Sequence, residues 1–565
     1  MKVIVGSLKY WVLVSWLLSA PAILASVTVA NDEEQTCTWE ERATCGNVYR
    51  DPHLKPLQVT LNGDKVDETF YAYVPPDFST YYNASQGSMK PIETSFSGMF
   101  GKFINLSNKR VQIYWQPRNK KLAPTYISDI APFGAAGTAT YPQHAFIVTE
   151  PNKPTKILDS FSIKSSHSLY TYDPYGTVEQ AAKVLTPEEL DLYKLQYRNL
   201  EFNKLYKRAT GREWLALYGR KYAPRYPMWP ADFFNQTFTV TTKETYIERP
   251  VPDDIGKKKI GAYGTSLAER EQLEPYRSTQ DMLTLNMTVL SVAPRAYEIR
   301  NFLSDEEVHH ILELATGMKL SRSTTKAGTM GTGRTDDSTR TSLNSWIGRE
   351  RSPIVDVVFR RAADLLQIDE ACFRYRRDDE KQLVEGSMAP ISERLQLVHY
   401  DVGQQYTPHH VSLSFKEEVA GLQKCANTTC YFVKDFSVPD LKDGQTSRFA
   451  TILFYLNEGM EGGETSFPRW LNAKTNKILK VKPEVGKAIL FYNQLPDGNY
   501  DERSQHAALP VVKGEKWLTN LWVWVSYLCF QHGTTTAMRC IHCFNVLAFY
   551  SLHDCCQDPY MSADI

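Results

Sequence analysis

This sequence lacks an excess of charge of either sign. Lys and Arg number 64, as do Asp and Glu, so no global field draws the chain to nucleic acid. Cysteine is nearly absent as a framework. Seven of the ten cysteines, at 425, 430, 529, 540, 543, 555 and 556, fall in two stretches, so their number says little about the fold. Cys540-Ile-His-Cys543 is one CxxC with no spaced partner pair, too little for a zinc site. No Lys-Asp-Glu-Leu-like retention signal stands at the C-terminus.

What is present points to several units. A chain of 565 residues with 42% hydrophobic content is expected to hold two or three packed domains. Met1 to Lys9 is a basic start, Tyr10 to about Leu24 is apolar, and Ala25-Ser26 supplies small residues. That is the pattern of a secretory signal over residues 1–30. Left uncut, residues 10–30 are long enough to anchor in a membrane. Sequons at Asn83, Asn105, Asn235 and Asn286 fit a glycoprotein of the secretory pathway. In that oxidising setting Cys37 and Cys45 can pair, which leaves Cys372 single. The expected location is the endoplasmic reticulum or the secretory lumen.

Residues 45–175 are rich in Tyr, Phe, Val, Thr, Pro and Gly, with short alternating runs such as Arg110-Val-Gln-Ile-Tyr-Trp115 between turn residues. A β-sandwich-like domain is expected there. Residues 176–285 are expected as a helical and irregular linker. Thr186-Pro-Glu-Glu189 opens its helix, with Leu190, Leu192, Tyr193, Leu195 and Tyr197 as a broad apolar face. Further on, Ser304-Asp-Glu-Glu307 is a capping box, followed by Val308, Ile311, Leu312 and Ala315 at helical spacing. Ile354, Val357, Val358, Ala362 and Leu365 mark another helix.

The chemistry lies in the last part. Leu395-Gln-Leu-Val-His-Tyr400-Asp-Val-Gly-Gln-Gln-Tyr-Thr-Pro-His409-His410 supplies histidines, and Ser504-Gln-His506 another. A lysine, Lys516, follows ten positions later. Between them lie Arg448-Phe-Ala-Thr451-Ile-Leu-Phe-Tyr-Leu and Glu461-Gly-Gly-Glu-Thr-Ser-Phe-Pro468. Two histidines and one carboxylate make the facial triad of non-haem iron, which leaves positions open for a co-substrate and oxygen. The acid expected two places after His409 is absent, and Val411 stands there.

This ordered set resembles the prolyl 4-hydroxylase family of 2-oxoglutarate/Fe(II) dioxygenases. The likeness begins at Pro294-Arg-Ala-Tyr-Glu-Ile-Arg-Asn-Phe-Leu-Ser, passes through Arg340-Thr-Ser and covers roughly the C-terminal half. It implies a mainly β protein with flanking helices, whose oxygenase domain over 286–565 is a double-stranded β-helix, a jelly-roll with the metal at its mouth. It also implies His409 and His506 as Fe(2+) ligands. Lys516, Tyr400 and Thr451 are then the groups that hold the distal carboxylate of 2-oxoglutarate. The reaction implied is oxidative decarboxylation of 2-oxoglutarate to succinate and carbon dioxide, coupled to hydroxylation of peptidyl proline. L-ascorbate would restore iron oxidised in uncoupled cycles. The partner expected is a proline-containing peptide or glycoprotein, with lysyl or other side-chain hydroxylation the near alternative and the oligomeric state open.

The missing acid has a reading in the sequence itself. Removing the 24 residues Val411 to Lys434 joins His410 to Asp435 and restores a His-x-Asp motif. On a strand, His409 and Asp435 would then share one face. The segment begins Val-Ser, which GTAAGT encodes, and ends in Lys, which AAG encodes, as a retained intron would. Removing Val525 to Gln557 likewise joins Trp524 to Asp558 as a strand end and turn. Three other accounts stay open: an inactive binder of proline-rich chains, a relative of the halogenating enzymes that lack the carboxylate, and an insertion that bulges out while Asp435 still reaches the metal. Finally, Gly101 to Trp115, Ile130-Ala-Pro-Phe-Gly134 and Thr140-Tyr-Pro-Gln-His144-Ala-Phe-Ile-Val148 are faintly similar to the β domain of the von Hippel-Lindau protein. That resemblance implies a hydroxyproline-binding surface around Trp115 and His144; an ordinary sandwich in which both are structural is the alternative.

Overall fold

The computed structural model describes residues 51–61, 64–75, 92–119, 121–216, 227–323, 340–377, 390–410, 448–472 and 474–524. Val411, Asp435, both suspected insertions, the segment 10–30 and every cysteine but Cys372 lie outside these residues.

Seven strands between Met99 and Tyr172 form two facing sheets. One holds Leu169–Tyr172, Met99–Asn105 and Ala135–Thr140; the other holds Thr125–Ile130, Val111–Gln116, Ala145–Glu150 and Lys153–Ser162. Met99, Phe103, Val111, Ile113, Phe146, Val148 and Tyr170 meet between them. A sandwich is the outcome of such alternation, because each strand gives every second side chain to the shared core. Met99–Asn105 is buried on both faces. Its outer residue Phe100 joins Leu57 and Ala72 of the hairpin Leu54–Leu61/Asp64–Tyr73, Phe202 and Tyr206 of a helix, and Tyr500 from the far half of the chain.

That helix, Pro187–Thr210, starts where the capping box predicts. Thr186 Oγ1 accepts from Glu189 N at 3.3 Å while Glu189 Oε2 accepts from Thr186 N at 3.1 Å. It ends at Gly211, whose φ of 73° suits glycine as a left-handed C-cap.

The larger unit is built on a nine-stranded sheet. Its order is Thr237–Thr242, Leu283–Val292, Arg295–Ile299, Ala488–Tyr492, Arg448–Tyr455, Lys516–Trp524, Leu395–Tyr400, Leu343–Ile347 and Ser321–Arg322. Its first strand comes from the stretch expected as linker. Helices Asp305–Thr316 and Pro353–Leu366 cover one face, packing Ile311, Leu314, Val358 and Ala362 on Leu397, Ile452, Leu490 and Leu521. Opposite lies a four-stranded sheet, Tyr406–His409, His506–Ala508, Thr465–Phe467 and Leu479–Val481. Val398, Tyr400, Leu453, Tyr455, Phe467, Phe491 and Leu518 fill the space between. Two antiparallel sheets closed face to face in this way are a double-stranded β-helix.

The capping box at Ser304 carries more than a helix start. Glu307, after accepting from Ser304 N at 3.0 Å, takes two bonds of 2.7 Å from Arg361 on the neighbouring helix. Arg361 also donates to the carbonyls of Phe302 and Thr245, so the fully buried pair is satisfied on both sides.

Two expectations are corrected here. Cys372 is not single: it is disulfide-bonded, to a cysteine outside the described residues. Asn105, one of the four sequons, is fully buried. Its amide donates to Lys109 O at 2.7 Å and Ala131 O at 2.9 Å, and its oxygen accepts from Ser107 N at 2.9 Å. An asparagine committed to its own turn cannot carry a glycan. Asn235 and Asn286 are exposed. Among the described residues no helix is long and apolar enough to cross a membrane.

Candidate active site

The two anticipated histidine ligands sit directly opposite one another. His409 ends Tyr406–His409, His506 opens His506–Ala508, and the strands pair antiparallel with these two in register. Directly opposed side chains on one sheet face approach closely, and the two rings lie 4.5 Å apart. Each ring is held the same way. His409 Nδ1 donates to Thr407 O and His506 Nδ1 to Ser504 O, both at 2.9 Å. A carbonyl only accepts, so in each neutral ring the proton sits on Nδ1 and Nε2 keeps its lone pair. Neither Nε2 has a hydrogen-bond partner among the described residues. Burial and the neighbouring His506 hold His409 well below the usual histidine pKa, and burial pushes His506 down to about 4. Both are therefore neutral donors at physiological pH, fixed by a carbonyl behind each ring as metal-binding histidines are. The donor set fits a divalent iron; Asp435, the third ligand expected from the sequence, lies outside the described residues. His410 points the other way: its Nε2 donates to Glu502 O at 3.1 Å, and its ring meets Phe100 at 5.6 Å.

Lys516 and Tyr400 are brought together inside the barrel. They are register partners on adjacent strands, and both are buried. Lys516 Nζ lies 5.5 Å from the ring centres of Tyr400 and Tyr455 and donates to Gly463 O at 2.5 Å. Burial pulls the lysine down to about 7, against the attraction of Glu464. The same burial raises Tyr400, whose hydroxyl meets Ser342. A cation in a dry, aromatic-lined space is matched by a carboxylate.

Thr451 is not brought to that lysine. It is in register with Trp522, six residues further along the strand that begins with Lys516, a separation of about 20 Å at the usual rise. Its hydroxyl instead bonds Asn493, whose Nδ2 donates to it at 3.0 Å. The threonine beside Lys516 is Thr465, which sequence reasoning passed over. Its hydroxyl bonds Tyr455 Oη at 2.7 Å, two residues on from the carbonyl that Lys516 contacts. The one signal for it was its place in the Gly-Gly-Glu-Thr turn.

Arginines line the histidine side. Arg340, buried, lies 4.6 Å over Tyr406, which itself stacks on His409 at 3.5 Å. Arg448 lies 3.8 Å over Trp522 and makes bonds of 2.6 and 3.0 Å to Glu393, which also accepts from Trp524 Nε1. Trp346 meets Trp522 at 6.0 Å and is partly exposed.

Another cluster of ligand-type groups, His399, Asp401 and Glu515, contains none of these residues. His399 alternates with Val398 and Tyr400 and so leaves the sheet on the opposite face. Its ring stacks on Trp517 at 4.2 Å, and its Nε2 pairs with Glu515 at 2.7 Å. With both carboxylates exposed, this is a surface hydrogen-bonded pair.

A barrel that holds two paired neutral histidines and a buried lysine is the arrangement expected of a 2-oxoglutarate- and Fe(II)-dependent oxygenase, and residues 395–524 match the 2OG-Fe(II) oxygenase superfamily. The chain is 32% identical over 250 residues to a probable prolyl 4-hydroxylase 3 of Arabidopsis thaliana, covering 42% of this chain and 71% of the relative. It is 32% identical over 246 residues to prolyl 4-hydroxylase 5 of the same plant, covering 41% and 69%. A viral collagen prolyl hydroxylase of Paramecium Bursaria Chlorella virus-1 aligns in structure at 22% identity and a TM-score of 0.25, over 40% of this chain and 94% of that one. The chain belongs to the prolyl 4-hydroxylase family and is a dioxygenase of that type.

Proposed function

We propose that this protein hydroxylates peptidyl proline in proline-containing chains of the secretory pathway, with His409, His506 and Asp435 as iron ligands and Lys516, Tyr400 and Thr465 receiving the distal carboxylate of 2-oxoglutarate. The observation that carries the reading is the paired, carbonyl-backed histidines in the same barrel as a buried lysine. Iron with 2-oxoglutarate supplies the oxidation when bound, and L-ascorbate would keep the metal reduced. The residues of the chain do the rest. Thr407 O and Ser504 O aim the two rings, and Lys516 supplies a buried positive group for a carboxylate. Arg340 over Tyr406, which stacks on His409, gives the histidine side a cationic and aromatic wall suited to the flat ring and carbonyls of an extended proline segment.

The signal at residues 1–30 and the exposed sequons Asn235 and Asn286 support a lumenal location, with residues 10–30 as anchor if uncut. On the sandwich, Trp115 and Tyr141 lie 5.5 and 5.4 Å from the His144 ring, and Thr140 Oγ1 is 3.2 Å from His144 Nδ1. The test is release of succinate and formation of hydroxyproline from a proline-rich peptide, dependent on Fe(II) and 2-oxoglutarate. A purified protein that binds the peptide but holds no iron at stoichiometry is instead an inactive binder.

A further inference from the structure

The segment that leads into His506 is held by the other half of the chain. Between the strand ending at Tyr492 and the one starting at His506, two buried side chains and a half-buried one face the N-terminal half. Asp497, with no exposure, accepts from Tyr73 N at 2.8 Å and from Tyr206 Oη at 2.6 Å through the same oxygen. Its other oxygen accepts from Asn499 N at 3.0 Å. Asn499 accepts from Leu215 N at 2.7 Å and donates to Glu213 O at 2.9 Å. Glu502 accepts from Phe100 N at 2.8 Å and pairs with Arg469 at 2.7 Å. The same few residues then supply the carbonyls at the site: Glu502 O takes His410 Nε2, and Ser504 O takes His506 Nδ1.

We propose that Asp497 and Asn499 are positioning residues through which the N-terminal half holds the His506 segment in its metal-binding geometry, so that this half is a working part of the oxygenase centre. The inference rests on the reading of His506 as a ligand. Its physical basis is that Ser504 O fixes the His506 ring, and Ser504 is a few residues from side chains whose partners lie on Tyr73, Tyr206 and Leu215. Removing the Asp497 carboxylate leaves the Tyr73 N–H without its acceptor and frees the segment from Tyr206, so the segment can relax. The cost then falls on the metal, as when a ligand's outer support is lost.

The experiment uses the full chain and Co(II) alone as probe, with binding read from its visible absorption and by equilibrium dialysis. Asp497→Ala is expected to weaken Co(II) binding about tenfold, the lower end of the effect of such outer supports. Asp497→Asn, which keeps one acceptor, is expected to fall between it and wild type, and Tyr206→Phe to weaken binding severalfold. Gln196→Ala removes a buried bond to Phe133 O inside the N-terminal half and is expected to lower the melting temperature with Co(II) affinity unchanged. Equal weakening by Gln196→Ala, or wild-type affinity in Asp497→Ala, overturns the inference. Should Asp497→Ala not fold, Tyr206→Phe decides in the same way. His506→Ala separates the two layers: retention of Co(II) by that variant, or no uptake by wild type, overturns the ligand reading itself. Loss in His506→Ala with wild-type affinity in Asp497→Ala overturns the inference alone.

Discussion

Lys516 and Tyr400 face each other across adjacent strands, with the ammonium 5.5 Å from the phenol ring and no carboxylate oxygen among its hydrogen-bond partners in the described residues. The lysine's one bond is to a backbone carbonyl. Lys516→Ala should therefore raise the 2-oxoglutarate requirement, roughly tenfold to a hundredfold for a lost charge-assisted contact, and leave metal binding nearly intact. Lys516→Arg should not restore it fully, because a planar fork does not fit a space shaped for a compact ammonium. Titration of 2-oxoglutarate into the metal-loaded variants checks this. Equal affinity in wild type and Lys516→Ala would remove the residue from the site.

The same lysine sets a pH dependence. Its pKa of about 7 belongs to the ligand-free protein, and a bound carboxylate raises it. Above pH 7, binding then requires uptake of a proton. Affinity for 2-oxoglutarate should be level below about 7 and fall about tenfold per pH unit above it, until the raised pKa of the complex is reached. Metal binding should not follow this curve. With burial holding His506 near 4, and burial and the neighbouring His506 holding His409 well below the usual histidine range, His506 stays neutral above pH 5 and metal should be lost by its protonation only as pH approaches 4. Calorimetry across pH 5 to 9 reads both.

Thr465 and Thr451 give a direct contrast. Thr465→Val removes a hydroxyl beside Tyr455 and Lys516, and the 2-oxoglutarate requirement should rise severalfold, as for one neutral hydrogen bond of about 1 kcal/mol. Thr451→Val acts some six residues away and should leave that requirement unchanged. Its effect should show in stability, through Asn493. Steady-state kinetics with each variant distinguishes the two threonines.

The interruption after His410 calls for a different test. The 565-residue chain is expected to turn over slowly or not at all. Removal of Val411 to Lys434 and Val525 to Gln557 should give 2-oxoglutarate-dependent hydroxylation of proline-rich peptides. In that shortened protein Asp435→Ala should abolish iron binding or activity, since one carboxylate supplies both charge and geometry. A shortened protein that is folded yet iron-free, or one indifferent to Asp435→Ala, speaks for an inactive binder.

What was legible in the sequence was local. The capping boxes at Thr186 and Ser304 need only residues three apart, and both helices start there. His409, His506 and Lys516 were singled out because an ordered set of motifs surrounds them, and the structure sets the two histidines opposite one another and buries the lysine. Thr451 was misplaced because its neighbours depend on strand register, which includes an irregularity between Arg448 and Ala450. Asp497 carried no signal at all, since the hydroxyl it binds, that of Tyr206, is 291 residues away. Cys372 was misread because its partner too is set by the fold.

Phe100 and Tyr500 belong to one apolar cluster with Phe202, Tyr206 and Trp214, although they come from opposite halves of the chain. The seam between sandwich and barrel is thus built like an interior, from packed aromatic rings and buried hydrogen-bonded side chains such as Asp497 and Asn499. Heating should then melt the two halves in one calorimetric transition, where a chain of loosely strung modules would show two. For the same reason a fragment cut near residue 286 would present raw core to water and should aggregate, so the oxygenase is not a portable cassette.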